Sequence, residues 1–428
     1  MNPNLTQFAV QMSELSGARV IMKDVIKTLS KGSKENLINL SVGNPLILPA
    51  LEQLWRDCTT ELLNSSEYGR VVCRYGSSQG YQPLVEAIAN DFNCRYGLNL
   101  TQQNILITPG SQSLYFYAAN AFGGYTIDGD LQKIVLPLTP EYAGYGRVAF
   151  TPEALIAYKP ILDIDEKQHR FKYRPDFEKL AITQNTGCVI FSRPCNPTGN
   201  ILSDEEVQKI VALAANYNVP VLIDSAYGLP FPSLNYTSMT PIFGDNILYC
   251  MTLSKAGLPG ERIGIAIGDP KLIEILNFFQ ANLCLSSSRY GQAIAAMAIA
   301  SGALAELSVN VIRPFYQQKL ALLEHTFEKL MPDDLPWFLH RSEGSIFAWL
   351  WLRDLPISDW QFYQQLKQAG VIVVPGSAFF PGLQEHWSHH EQCVRISLAA
   401  SEAEIEVGIE RLIQVIRQIY QNGRANQQ

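Results

Sequence analysis

Several large classes are closed to this chain by what it lacks. Its eight cysteines, at 58, 73, 94, 188, 195, 250, 284 and 393, include no CxxC pair. Neither a thiolate zinc site nor a dithiol redox motif is therefore written in them, and they read as reduced thiols of a cytosolic protein, mostly in apolar surroundings. Histidine is scarce at six. The one cluster, His386, His389 and His390 in "EHWSHHEQ", has no ligand-spaced partner motif and reads as a solvated polar loop, so no metal is expected. Long hydrophobic runs are missing. The nearest candidate, "YGQAIAAMAIASGALA" in front of Glu306, falls short of the roughly 20 strongly apolar residues of a membrane span and reads as a packed core helix. The N-terminus, "MNPNLTQFAVQMSELSGARV", has no cationic lead followed by an apolar run, so no secretory signal is read there. A basic stripe is absent too, because 33 Lys and Arg are scattered among 40 Asp and Glu. Neither nucleic acid nor membrane is an expected partner, and the expected location is cytoplasmic.

What remains is ample for a large core: 428 residues, 47% hydrophobic and 17% charged, a length that suits a large domain plus a smaller one. No internal repeat or low-complexity tract occurs. From about residue 100, short β-rich runs alternate with longer helical patterns, which predicts a parallel sheet wrapped in helices. The clearest unit runs from "GCVIFSRPCNPTGN" through "LSDEEVQKIVALAANYN" to "VPVLIDSAYG". Ser203 with Glu206 three residues later forms a capping box that starts the helix. Such a βαβ crossover presents ligands to the carboxyl ends of its strands, where Asn196 and Asp224 fall. From about residue 310 a long amphipathic helix leads into three strands, "GSIFAWLWL", "GVIVVPGSAF" and "QCVRISLA". The expected organisation is residues 1–45 as an N-terminal segment packing with the small domain, 46–310 as the large domain and 311–428 as the small α+β domain.

"MTLSKAGLPGERIG" at 251–264 sets Lys255 at the end of a strand. A lysine there is costly unless its amine is neutral, paired or covalently used, one such use being a Schiff base with an aldehyde cofactor; the alternative is a surface lysine on a loop. Pyridoxal 5′-phosphate asks four things of a protein, and each has a candidate. Lys255 offers the amine. Asp224 could hold the ring nitrogen protonated, although a helix-capping aspartate would look the same. Tyr227 and Asn196 could reach the phenolic oxygen, although Asn-Pro is also a common turn. For the phosphate, "ITPGSQSLYFYAANAF" runs a strand into Gly110-Ser111-Gln112 and then a helix, whose N-terminal amides and dipole favour an anion. Arg262 could add a guanidinium, with hydroxyls from Thr252 and Ser254.

"NPTGN", "DSAYG" and "SKAGLPGERIG", in this order and spacing, resemble the fold-type I aminotransferases of classes I and II. The likeness extends from "SVGNP" through "YGSSQGYQPL", "PEYAGYG" and "EGSIFAWLWL" to "VRISLA". It implies an α/β fold, with a large domain built on a mainly parallel seven-stranded-type sheet covered by helices, and a smaller α+β domain. It implies pyridoxal 5′-phosphate as cofactor and amino transfer between a small apolar L-amino acid and a 2-oxo acid, L-valine and pyruvate in particular. By the same likeness Lys255 is the Schiff-base lysine and the acid/base, Asp224 pairs with the ring nitrogen, and Tyr227 and Asn196 hold the phenolic oxygen. Tyr142 stacks on the cofactor, where it could also be an ordinary core tyrosine. Arg395 clamps the substrate α-carboxylate, Gly43 lets the backbone approach that carboxylate, and Tyr75 reaches the phosphate of a neighbouring subunit. A homodimer with shared active sites is the implied form. Two departures stand out: Arg262 follows Lys255 by seven residues where many relatives use eight, and Cys195 has no derivable role. Lyase chemistry on the same cofactor and fold stays open. A DNA-binding regulator with an aminotransferase-like domain is disfavoured, because "SVGNP" already lies at residue 41 and the chain is acidic.

Overall fold

Strands that read in the sequence as unbroken apolar runs lie at the centre of the molecule, as expected where helices cover both faces of a sheet. The computed structural model describes residues 4–13, 18–31 and 37–425. The larger sheet runs in the order Ile105–Pro109, Ile263–Gly268, Ile247–Thr252, Val221–Asp224, Thr186–Ser192, Leu131–Leu136 and Gly124–Tyr125, with Leu155–Ala157 pairing beside Leu131–Leu136. Its four central strands, from Ile247–Thr252 to Leu131–Leu136, are parallel to one another. Ile263–Gly268 is antiparallel to both of its neighbours. The α/β class, with a mainly parallel central sheet, agrees with the sequence reading.

The crossover helix Asp204–Ala215 starts where the sequence places it. Ser203 Oγ accepts from Glu206 N–H at 3.1 Å, and Glu206 Oε2 accepts from Ser203 N–H at 2.8 Å. The alanine-rich stretch forms the helix Arg289–Ala300, buried along most of its length. No single helix among the described residues is long and apolar enough to cross a membrane.

A second sheet runs in the order Val374–Pro375, Cys393–Ser397, Phe347–Leu352, Trp337–His340, Arg170–Arg174 and Ile161–Asp165. Its last two strands come from the middle of the 46–310 stretch. This hairpin joins the C-terminal strands by parallel pairing of Leu339 with Arg170 and His340 with Phe171. Lys172 is ion-paired with Glu343, and Arg170 Nη2 lies 2.6 Å from Glu328 Oε1. Near the N-terminus, Ile38–Asn39 pairs in parallel with Val371–Ile372, and Asp24 accepts from Tyr363 Oη and Lys367 Nζ, each at 2.7 Å.

The solvated-loop reading of the histidine cluster needs correction at one residue. His386 is exposed, but His389 is buried, with Nε2 2.6 Å from Tyr173 Oη. Its ring stacks on Trp387 at 4.4 Å and lies edge-on to Trp351 at 4.7 Å, and burial pushes its imidazole down to about 3. Aromatic neighbours brought in by distant strands claim a side chain whose local sequence looks polar.

Candidate active site

The carboxyl ends of three parallel strands, 186–192, 221–224 and 247–252, meet the N-terminus of helix Ser111–Phe122 around a cavity of about 190 Å³. Its walls include Ser111, Gln112, Tyr142, Asn196, Asp224, Tyr227, Thr252, Ser254, Lys255 and Arg262. Ten of the fourteen residues singled out in the sequence therefore face one space.

Lys255 ends a short turn after its strand, and Nζ donates to the Gly43 carbonyl at 2.6 Å. The amine lies 5.6 Å from the centre of the Tyr227 ring. Burial lowers it to about 8, with the positive charges of Arg395 and Arg262 acting in the same direction and Asp224 opposing them. The residue as a whole is only half-buried because its exposed part faces the cavity.

Asp224 is fully enclosed. One carboxylate oxygen accepts from Tyr145 Oη at 2.7 Å and the other from Ala226 N–H at 3.0 Å. Burial raises this carboxyl, and those two donors pull it back towards the ionised form. The Tyr115 hydroxyl lies beside the same carboxylate without a hydrogen bond of normal geometry. Tyr145 and Tyr115 are absent from the sequence reading. The signal for Tyr145 is its place three residues after Tyr142 in "PEYAGYG", inside the turn Ala143–Arg147.

At the anion end, Gly110 precedes the helix with φ 85°, and the helix N-terminus has no side-chain cap, so its first amides are left for a ligand. A Cβ at Gly110 would sit 2.2 Å from Arg262 Nη2, so only glycine lets the guanidinium cross there. Arg262 itself has φ 52°, and its Nη1 donates to Ser254 Oγ at 3.2 Å and to the Pro259 carbonyl at 3.2 Å. Ser254 thus keeps its own proton for an anion. Thr252 does not: its hydroxyl proton goes to the Ile263 carbonyl at 2.8 Å or to Ser254 Oγ at 3.0 Å. This threonine holds the turn.

Arg395 lines an adjoining cavity that shares Gln112, Tyr142 and Arg262 with the first. Its guanidinium carbon lies 4.1 Å from the centre of the Phe347 ring and 5.0 Å from that of Phe379. Nη1 donates to Asn196 Oδ1 at 3.0 Å and Nη2 to the Ser41 carbonyl at 2.8 Å, while Nε is buried with no partner. Burial lowers the group to about 10. Tyr75 is not brought to the cavity: it is 88% exposed, after the helix Tyr68–Cys73. Cys195 is buried beneath Asn196 and its thiol is pushed far up by burial, which leaves it unreactive. Among the described residues no group of three or more His, Cys, Asp or Glu is placed to hold a metal ion.

The donor set fits pyridoxal 5′-phosphate on the structure's own terms: a desolvated amine, an enclosed carboxylate and an uncapped helix N-terminus crossed by a guanidinium line one cavity. Comparison with known proteins is consistent with that chemistry. Residues 35–412 match the family model described as aminotransferase class I and II. A valine–pyruvate aminotransferase of Escherichia coli is 36% identical over 414 residues, 96% of this chain and 98% of that protein. A solved structure of a putative amino-acid aminotransferase from Psychrobacter arcticum superposes with a TM-score of 0.93 at 36% identity, covering 98% of this chain and all of the other. That of a valine–pyruvate aminotransferase from Salmonella typhimurium gives 0.85 at 35% identity, covering 94% and 99%.

Proposed function

The chain belongs to the class I and II aminotransferases, enzymes that depend on pyridoxal 5′-phosphate, and we propose that it transfers an amino group between L-valine and pyruvate, yielding 2-oxoisovalerate and L-alanine. The observation that carries the chemistry is the desolvated Lys255 amine sharing a cavity with Asp224, Asn196 and an uncapped helix N-terminus.

Bound there, the cofactor supplies an aldehyde that captures amino nitrogen and a ring that draws electrons from the substrate α-carbon. Lys255 would hold the group through Nζ at its aldehyde carbon, and the same amine would be the base and acid for the proton on the substrate α-carbon. Asp224 keeps a proton on the ring nitrogen, its carboxylate aimed by Tyr145 and the Ala226 N–H. Tyr227 and Asn196 bind the phenolic oxygen, Asn196 through its amide nitrogen because Oδ1 is taken by Arg395. Helix amides at Ser111 and Gln112, Ser254 and Arg262 hold the phosphate. Thr252 is assigned to shaping that turn, and the Tyr142 ring covers the cofactor. Arg395 receives the α-carboxylate, with its unpartnered Nε as an available donor, and Gly43, whose carbonyl accepts from Lys255, is assigned to letting the backbone approach that carboxylate.

Arg262→Ala should release the cofactor more readily. The charged hydrogen bond is worth roughly 1.5–3 kcal/mol, and the exposure of Arg262 pushes the effect to the low end. Equilibrium dialysis of the cofactor measures this, and an unchanged affinity would remove Arg262 from the phosphate site.

The substrate pair rests on the relatives. The site supports it with Arg395 set between aromatic walls for the α-carboxylate, since a few methylenes change binding by only about 1–3 kcal/mol and both alanine and valine are admitted. A panel of single amino acids, given without acceptor and followed by the visible cofactor band, is expected to react fastest with alanine and valine. Faster reaction of glutamate or aspartate would overturn the pair and leave the aminotransferase reading standing.

A homodimer with shared active sites completes the proposal. The 88% exposed Tyr75, with Val72, Leu63 and Ile47 also exposed, supports self-association of that face, from which Tyr75 would reach the partner's phosphate. Sedimentation is expected to give twice the chain mass, 47.8 kDa. A monomer would contradict it.

A further inference from the structure

Glu141 is buried in the wall of the site, between Pro140 and Tyr142, and its surroundings are one-sided. Oε1 accepts from Ser192 N–H at 2.8 Å; Oε2 accepts from the Ser192 hydroxyl at 2.5 Å, Tyr142 N–H at 3.1 Å and the Cys195 thiol at 3.8 Å. Among the described residues no cation pairs with it. Its own N–H donates to the Phe379 carbonyl at 2.8 Å, which ties it to the ring that packs on Arg395. The carboxylate thus touches the backbone of the tyrosine assigned to cover the cofactor and the strand end leading into Asn196, and the backbone of the same residue reaches the wall of the substrate arginine.

Resting on the aminotransferase reading, we propose that Glu141 is a positioning residue: its ionised carboxylate holds the Tyr142 ring and the turn from Ser192 to Asn196 in place, and protonation releases them. The donor count is the reason. Three donors, the Ser192 N–H, the Ser192 hydroxyl and the Tyr142 N–H, converge on the two oxygens, the Cys195 thiol having the Pro140 carbonyl as a nearer acceptor, and a carboxylate is the one form of this side chain that accepts from all three. A proton on Oε2 has a single place to go, the Ser192 oxygen. The Ser192 hydroxyl must then turn away, and the Tyr142 N–H is left with a neutral, weaker acceptor.

Burial opposes the donors. It raises the Glu141 carboxyl from the ordinary 4.5 to about 8, with the bonds from Ser192 and Tyr142 lowering it and Asp224 raising it further. The titratable groups that face it are Asp224 on the neighbouring strand end, Cys195 below it, and Tyr145 on its own loop. The turn Gly376–Phe379 packed on the other side brings no charged side chain.

The test is the ratio of kcat/KM for wild-type holoenzyme to that for Glu141→Gln, with alanine or valine as donor, followed across pH. Glutamine has one acceptor oxygen and does not titrate, so it stands in for the protonated form. The ratio is expected to be near one well below pH 8 and to climb to about tenfold well above it, the loss expected for one hydrogen bond to a charged acceptor. Two further readouts guard against a variant that is merely damaged. Ser192→Ala removes a donor from Oε2 and should move the midpoint of the wild-type profile to higher pH. Melting of the cofactor-free wild type, relative to Glu141→Gln, should fall as pH rises from about 4.5 to about 8 and then level off, because the folded carboxyl holds its proton longer than the unfolded one. An active wild type with a pH-independent ratio and an unmoved Ser192→Ala midpoint overturns the role of Glu141 alone. A wild type that converts no amino acid at any pH overturns the aminotransferase reading, and the role with it.

Discussion

Replacing Lys255 by alanine is expected to abolish amino transfer, with a loss well beyond the roughly 10²–10⁴-fold of a single proton-transfer group, because cofactor attachment and proton carriage fail together. The structure leaves little room for a substitute. Arg262 and Arg395, two further cations at this site, are engaged with Ser254 and Pro259 and with Asn196 and Ser41. Borohydride treatment of the wild type should fix the cofactor on the peptide carrying Lys255 and on no other lysine peptide. Label recovered elsewhere would sink the assignment. The same lysine predicts a pH dependence. Attack on an aldehyde requires the neutral amine, and burial holds this amine near 8. Covalent capture of the cofactor by the cofactor-free protein should therefore rise with pH around a midpoint near 8 and level off above it. Stopped-flow absorbance measures the rate, and a midpoint at the ordinary lysine value of 10.5 would show that the amine is not desolvated.

Asp224→Asn should leave the fold nearly intact while slowing proton abstraction by roughly 10²–10³-fold, the range seen when one electrostatic partner of a reacting group is removed. Asparagine keeps one acceptor oxygen for the Ala226 N–H, and its amide nitrogen replaces the oxygen that accepted from Tyr145, so the Tyr145 hydroxyl must turn and accept instead. What disappears is the negative charge that keeps the cofactor's ring nitrogen protonated. Burial raises the Asp224 carboxyl, Tyr145 and the Ala226 N–H offset part of that cost, and a protonated ring would offset more. Replacing the α-hydrogen by deuterium separates the step from release. A variant with near-normal turnover, or one whose isotope effect vanishes, would contradict the role.

Much of this site was legible because its parts lie at strand ends, and strand ends can be read from apolar runs stopped by glycine, proline or a capping box. Asn196 and Asp224 fall on either side of a helix whose first turn is written in Ser203 and Glu206. Gly110 announced the anion end by its place before a helix. What escaped depends on contacts between segments far apart in sequence. The hydrogen bond from Tyr145 to Asp224 spans 79 residues and the bond from Ser192 to Glu141 spans 51. Neither follows from local composition. The partner of the Thr252 hydroxyl was out of view for a related reason, since the neighbouring antiparallel strand brings the Ile263 carbonyl to it. His389 looked solvated because the aromatic rings that bury it belong to other strands.

The hairpin from Ile161 to Arg174 governs how the chain can be cut. It is written in the middle of the sequence that builds the larger sheet, yet its outer edge is completed by Trp337–His340. A fragment that stops near residue 310 would leave one backbone edge of Arg170 and Phe171 unpaired, expose the buried rings of Phe171 and Tyr173, and strand Lys172 without Glu343. The complementary fragment would carry Trp337, Phe338 and Trp351 with one side of their sheet missing. Severed there, within a continuous helical stretch, the two pieces would meet each other, or other copies of themselves, through raw strand edges, so the protein is better dissected by circular permutation through an exposed turn than by separate expression of its halves.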